Sequence, residues 1–319
     1  MTDHLDRLID ALAGLAWSLW GELGASTWER QHQGWAIELE PLIAFTANVG
    51  TYDLRLKREA VDWCVTNAGH VSVSQLRHVV KAAPAQYEAA VADFGATVSQ
   101  FTRRSWPGSD AGDAYDLQPS GKSRLRGLEE PSMLQLRLRA MFGVGARAEI
   151  VRCLLTSPPV GYTVAQIAEP IAYTRRQISA DIEMLTSSGM IDRSVGSGPP
   201  RYSLTNDQAL RTVVGAMPVA APRWSAIFTV LVEMAAAIQA VTTEAFNRPD
   251  VEFARRVRLL DPTLEAAQLR VPRQLDESYD TRMARWATDF ATGLSAGDMS
   301  VLPPRQRLGE LGSHEAPRN

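Results

Sequence analysis

Leu5, Leu8, Ile9, Leu12, Leu15, Ala16 and Leu19 recur at i, i+3, i+4, i+7 spacing. At about 3.6 residues per turn that spacing draws one apolar stripe along a helix. A chain built from such stripes must bury them against each other, so the fold class is mainly α. The same pattern predicts helices over about 38–48, 53–67, 72–82 and 84–101. Local chemistry agrees with it. Gly21 and Gly24 can end the first helix, Asp53 can cap the third, and Ser72 with Gln75 makes a capping box for the fourth. Strand-like alternation is hard to find here, so residues 1–105 read as an N-terminal helical domain.

Periodicity then stops. The stretch "SWPGSDAGDAYDLQPSGKSRLRG" is rich in Gly, Ser, Pro and Asp, and 106–130 reads as a linker or exposed loop. Residues 131–206 form a second unit, 207–291 are helical again, and 292–319 read as a disordered tail. A length of 319 residues suits two or three domains. The most apolar run, "WSAIFTVLVEMAAAIQAV" at 224–241, approaches membrane-spanning length. Glu233 and Gln239 interrupt it and its flanks lack an anchoring pattern, so a buried helix and no membrane are expected. Its scarcity of polar surface also makes it a candidate dimer seam. The opening "MTDHLDRLIDALAG" carries acids where a secretory leader carries bases, which points to a cytoplasmic protein.

The central unit has the most informative order. Ile150, Val151, Leu154 and Leu155 mark one helix, and "SPPVG" breaks it. Tyr162 begins a very short extended piece. Thr163 and Gln166 make a capping box for a second helix, whose inner face is Val164, Ile167, Ala168 and Ile171. After a short turn, Thr174 and Gln177 cap a third, with Ile178, Ile182 and Leu185 facing inward and Gly189 ending it. "MIDRS", "VGSGPP" and "RYSLT" then read as strand, loop and returning strand. Here "TVAQIAEPIAYTRRQISADIEMLTSSGMIDRS" and "VGSGPPRYSLT" resemble the winged helix-turn-helix domains of bacterial transcriptional regulators of the broad MarR/ArsR type. That fold has three helices plus a small β-hairpin wing, here flanked by helical domains. Two residues depart from the pattern. Pro170 should end or bend the second helix, and Ala172 stands where such motifs often have glycine.

The resemblance implies a use for the arginine pair in "YTRRQISADIEML". Arg175, Arg176 and Ser179 lie on the outer side of the third helix, opposite the isoleucines, and a recognition helix offers that side to the major groove. Thr174 and Gln177, at the same end, join them as candidate DNA contacts. In the wing, Arg193, Ser197 and Arg201 are candidates, with Gly196 and Gly198 letting the backbone approach a minor groove. Arg147 and Arg152 are further candidates for phosphate contact. The net charge of −3 excludes a protein that coats nucleic acid over its whole surface, and leaves room for one local basic face. Residues 140–205 hold six arginines against five carboxylates. A domain so mildly basic binds weakly alone, and two copies on one duplex would help. A homodimer on double-stranded DNA is therefore expected.

Catalytic, metal and cofactor chemistry finds little footing. "SGKS" at 120–123 has Asp116 where a phosphate-binding loop needs glycine, and no apolar strand precedes it. "FGVGARAE" contains Gly-x-Gly without a strand leading in. The five histidines show no zinc spacing, and Cys64 and Cys153, far apart in apolar helical stretches, read as buried free thiols. No enzyme activity, metal or cofactor is expected. Trp17, Trp20, Trp28, Trp35 and Trp63 crowd into the first domain as core, with a ligand pocket or partner surface as the functional alternative. The competing class is a protein-interaction or antitoxin-like module, in which the winged helix is a scaffold or autoregulatory element for a partner protein.

Overall fold

The computed structural model describes every residue except 26–29, 84, 172, 273–276 and 309–319. The described chain is mainly α, with one two-stranded sheet. Helices α1 (Thr2–Leu23), α2 (Leu39–Val49), α3 (Leu54–Thr66), α4 (Val73–Ala82) and α5 (Ala85–Phe101) come first. They form where the apolar stripes predict. Asp53 Oδ1 accepts from the amides of Arg55 and Leu56, and Ser72 Oγ accepts from that of Gln75 at 3.2 Å. Gly24, with φ 87°, closes α1 in the left-handed region.

A second set follows the central unit: α11 (Trp224–Thr243), α12 (Pro249–Arg258), α13 (Asp261–Ala266) and α14 (Tyr279–Ser295). Its members do not fold apart from the first set. α1 packs along α14 and against α11, and α2 packs on α11. Phe45 of α2 stacks on Phe228 of α11 with ring centroids 4.2 Å apart, and Trp224, one turn earlier on α11, stacks on Phe228 as well. Helices α1–α5 and α11–α14, separate in sequence, therefore share one core, the body of the molecule. Periodicity shows which face of a helix is apolar, and not which stripe it meets.

α11 is long and apolar enough to cross a membrane, but most of it is buried inside the fold. Trp224, Ile227, Leu231, Met234 and Ile238 face the body's own core. The dimer seam expected of this helix is thus corrected: that apolar face is already covered within the chain. The expected disordered tail is also corrected over 292–308. Leu302 is buried, and Gln306 donates to the carbonyl of Ala267 while accepting from the amide of Arg223. Residues 309–319 lie outside the described part. Segment 106–130 is irregular, yet pinned to the body. Trp106 is buried, and the Asp62 carboxylate accepts from the amides of Gly121 (2.6 Å) and Ser123 (3.0 Å).

Between the two halves of the body sits a unit with its own core. It comprises α6 (Leu134–Phe142), α7 (Ala146–Leu155), α8 (Val164–Ile171), α9 (Arg175–Ser187), β1 (Ile191–Ser194), β2 (Arg201–Leu204) and α10 (Asp207–Val214). β1 and β2 pair antiparallel, with Ile191 opposite Leu204 and Ser194 opposite Arg201. Tyr162 exchanges backbone hydrogen bonds with Tyr202 at 2.9 and 2.8 Å, adding a single bridge to the hairpin. α8 ends one residue after Pro170, whose ring leaves no amide to continue the ladder. Ala172 lies outside the described residues.

Candidate nucleic-acid interface

α9 is capped and oriented by short-range chemistry. Thr174 Oγ1 accepts from the amide of Gln177, and Gln177 Oε1 accepts in return from the amide and hydroxyl of Thr174, a closed capping box. Ile178, Ile182 and Leu185 are buried against α7 and α8. The opposite face begins with Arg175 and Arg176, both exposed and in no ion pair among the described residues. Ser179 is half-buried beside exposed Ala180, and one turn further the same face carries exposed Glu183 and Met184. Of the candidate contacts, then, Arg175 and Arg176 are unengaged, while the Thr174 hydroxyl and Gln177 Oε1 are committed to the cap, which leaves the Gln177 Nε2 amide outside it.

The hairpin brings its candidates to the surface as well. Arg193 and Ser197 are exposed. A Cβ added at Gly196 or Gly198 would meet nothing within 4 Å, so that loop stands clear of the body. Arg201 is exposed but engaged: its Nη1 donates to the carbonyl of Gly161 at 2.7 Å and fastens the hairpin to the turn before Tyr162.

Two expected phosphate contacts change. Arg147 of α7 pairs with Asp181 of α9 at 2.8 Å on the surface. Arg152 is buried, with Glu149 at 2.8 Å and Glu38 at 2.7 Å, and is no surface contact at all. With Arg152 and Glu149 both internal, the surface of 140–205 carries five arginines against four carboxylates. Arg137 and Arg139 on α6 are internal too.

Those internal charges form a polar seam between the body and the central unit. Arg139 is its hub. It donates to both carboxylate oxygens of Glu40 (2.8 and 2.7 Å), to Glu149 Oε1 (3.0 and 2.7 Å), to Gln75 Oε1 (2.7 Å) and to the carbonyl of His70 (2.7 Å). Burial works to lower the Arg139 pKa, and the two carboxylates outweigh it and raise it. Burial works to raise the Glu149 pKa, and Arg139 and Arg152 outweigh it and lower it. In Glu38 burial prevails over Arg152 and the pKa rises. From this seam a branch reaches α9. Glu40 accepts from the amide of Ser72 at 2.7 Å, the Ser72 hydroxyl bonds the Tyr173 hydroxyl at 2.7 Å, and Gln75 Nε2 donates to the carbonyl of Ile171 at 3.2 Å. The turn between α8 and α9 is therefore gripped by the start of α4. Helical spacing alone does not announce this grip. Its signal is Glu40 inside "LEPLIAFTANV" and Glu149 and Arg152 inside "ARAEIVRCLL", charges set in apolar helical runs.

No protein-family model, curated protein or solved structure matches this chain. Among the described residues no group of three His, Cys, Asp or Glu could hold a metal ion. Cys64 and Cys153 are free, buried thiols whose pKa is raised by that burial. Trp17, Trp20, Trp35 and Trp63 are core residues, and Trp28 lies outside the described part.

Proposed function

We propose that residues 134–217 are a winged helix-turn-helix that binds double-stranded DNA, with α9 as the recognition helix and the β1–β2 hairpin as its wing, and that the protein is a transcriptional regulator. One observation carries the reading. Two guanidinium groups project unpaired from the first turn of a helix whose other face is fixed in a core. Cations early in a helix oppose its dipole, so a pair of them there is poorly explained by helix stability. Arginine so placed can bond guanine O6 and N7 bidentately or take a phosphate. The low surface charge favours two copies acting on one duplex, a homodimer on a two-fold site.

The test is a fluorescence-anisotropy titration with genomic fragments at several salt concentrations. Arg175→Ala with Arg176→Ala should lower affinity about tenfold or more, because a bidentate arginine–guanine pairing is worth roughly 1–3 kcal/mol. Equal affinity in wild type and variant would contradict the assignment. A second reading, an interaction or antitoxin-like module with the winged helix as scaffold, is favoured by the seam, which fastens the α8–α9 turn to the body as a structural joint would. Absence of any shift at low salt supports that second reading.

A further inference from the structure

The central unit's small surface charge excess is a weak hold on a polyanion. The rest of the chain does not spread its cations evenly. No aspartate or glutamate occurs from Trp63 to Tyr87, or from Phe94 to Ser109, in a chain whose net charge is −3. Within those acid-free stretches stand Arg77 and Lys81, one turn apart on α4, and Arg103 and Arg104 just beyond α5. All four are exposed, and none has a carboxylate partner among the described residues.

Contacts tie Arg77 and Arg104 to the corner where α4 meets the chain after α5, and tie α4 to Tyr173 just before α9. Arg104 Nη1 donates to the carbonyl of Val71 at 3.0 Å, and Arg77 Nη2 to that of Ser105 at 3.2 Å, which ties α4 to the corner after α5. Ser72, next to Val71, is the residue bonded to Tyr173. The ring of His78, next to Arg77, lies 6.3 Å from the Tyr173 ring. Tyr173 itself is two residues from Arg175. The joint is buried and polar, so the spacing between α4 and α9 is fixed.

We infer that Arg77, Lys81, Arg103 and Arg104 of the body and Arg175 and Arg176 of α9 form one composite DNA-facing surface. The body cations grip backbone phosphates beside the groove that α9 enters. This inference rests on the DNA-binding reading above. It supplies the charge that the central unit lacks, within a single copy of the chain. Phosphate contacts of this kind position a protein on the duplex and carry no base preference.

Binding of a labelled mixed-sequence duplex of about two helical turns, measured against salt, tests it. Each phosphate contact contributes about 0.9 to the slope of log K on log salt concentration. Arg77→Gln, Lys81→Gln and Arg103→Gln combined should make the slope shallower by about 2–3 and weaken low-salt binding at least tenfold. Arg104 is left in place because its brace falls on Val71, next to the Ser72–Tyr173 joint, whereas the Arg77 brace falls on Ser105. Should circular dichroism show the triple variant unfolded, Arg103→Gln alone carries the test, with an expected slope change of about 0.9. A folded variant with wild-type slope and affinity, alongside weakened Arg175→Ala/Arg176→Ala, overturns the composite surface and leaves the DNA-binding reading standing. A wild-type protein that binds no duplex at low salt overturns both.

Discussion

Arg139→Met removes the hub of the seam and leaves its partners in place. The Arg139 side chain is 1% exposed, and so is shielded from the water that would otherwise screen its loss. Glu149 would keep Arg152 and the Gln135 amide, but Glu40 would keep only the amide of Ser72. The substitution thus strands a buried carboxylate, and breaking a buried pair this way costs about 3–5 kcal/mol. Against a total stability of about 5–15 kcal/mol that is a large fraction. At roughly 2–4 °C per kcal/mol the melting temperature should fall by about 6–20 °C. Arg147→Ala is the matched control, because its ion pair with Asp181 is surface-exposed and should matter by less than about 1 kcal/mol. Adding Glu40→Gln to Arg139→Met should recover part of the loss, since the unpaired charge is what destabilises. Urea unfolding followed by far-ultraviolet circular dichroism reads all four proteins. If Arg139→Met loses no more than Arg147→Ala, the seam is not holding the two units together and the case for a fixed α4–α9 spacing fails with it.

Gly24→Ala places a Cβ 1.8 Å from the carbonyl oxygen of Arg124 at a backbone φ of +87°, whereas Gly121, at φ +66°, has open space around it. The first substitution should destabilise by clearly more than the roughly 1–2 kcal/mol of left-handed strain expected for Gly121→Ala, and equal losses in urea unfolding would contradict this. His32 is buried, with Nε2 2.6 Å from the carbonyl of Leu294. Burial lowers its pKa, so protonation favours the unfolded chain: stability is full above the ordinary histidine value of 6.5 and declines as pH falls below it. Thermal melts from neutral to mildly acidic pH should show that decline, and His32→Gln, which keeps a donor for Leu294, should flatten it. An unchanged profile would refute the assignment.

Much of the fold is legible in the sequence because helices announce themselves locally. The stripe of Leu5 through Leu19, the caps at Asp53 and Ser72, and the Thr174–Gln177 box each depend on residues within one or two turns. What escapes depends on partners far along the chain. Phe45 meets Phe228, and Glu40 meets Arg139, and neither pairing leaves a spacing to read. The same limit explains Arg152. Next to Cys153 in an apolar run it could be a surface cation or an internal one, and only the approach of Glu38 from another part of the chain decides. Leu302 and Gln306 look like tail residues until the body's edge is there to receive them. At the candidate interface, Arg175 and Arg176 are readable as outward-facing because Ile178 and Ile182 fix the helix's inward side. The surface inferred to join Arg175 and Arg176 with the arginines on α4 and beyond α5 is not readable, because the link from α4 runs through Ser72 and Tyr173.

The most direct measurement of the central claim is disulfide trapping between α9 and thiol-tethered duplex DNA. Both native cysteines are buried, so an introduced one reports alone. Ser179→Cys, one turn below the arginine pair, should form a protein–DNA crosslink that high salt suppresses, while Asp289→Cys on α14 should form none. Equal trapping at the two positions, or none at 179 with the duplex bound, would contradict α9 as the helix that enters the groove.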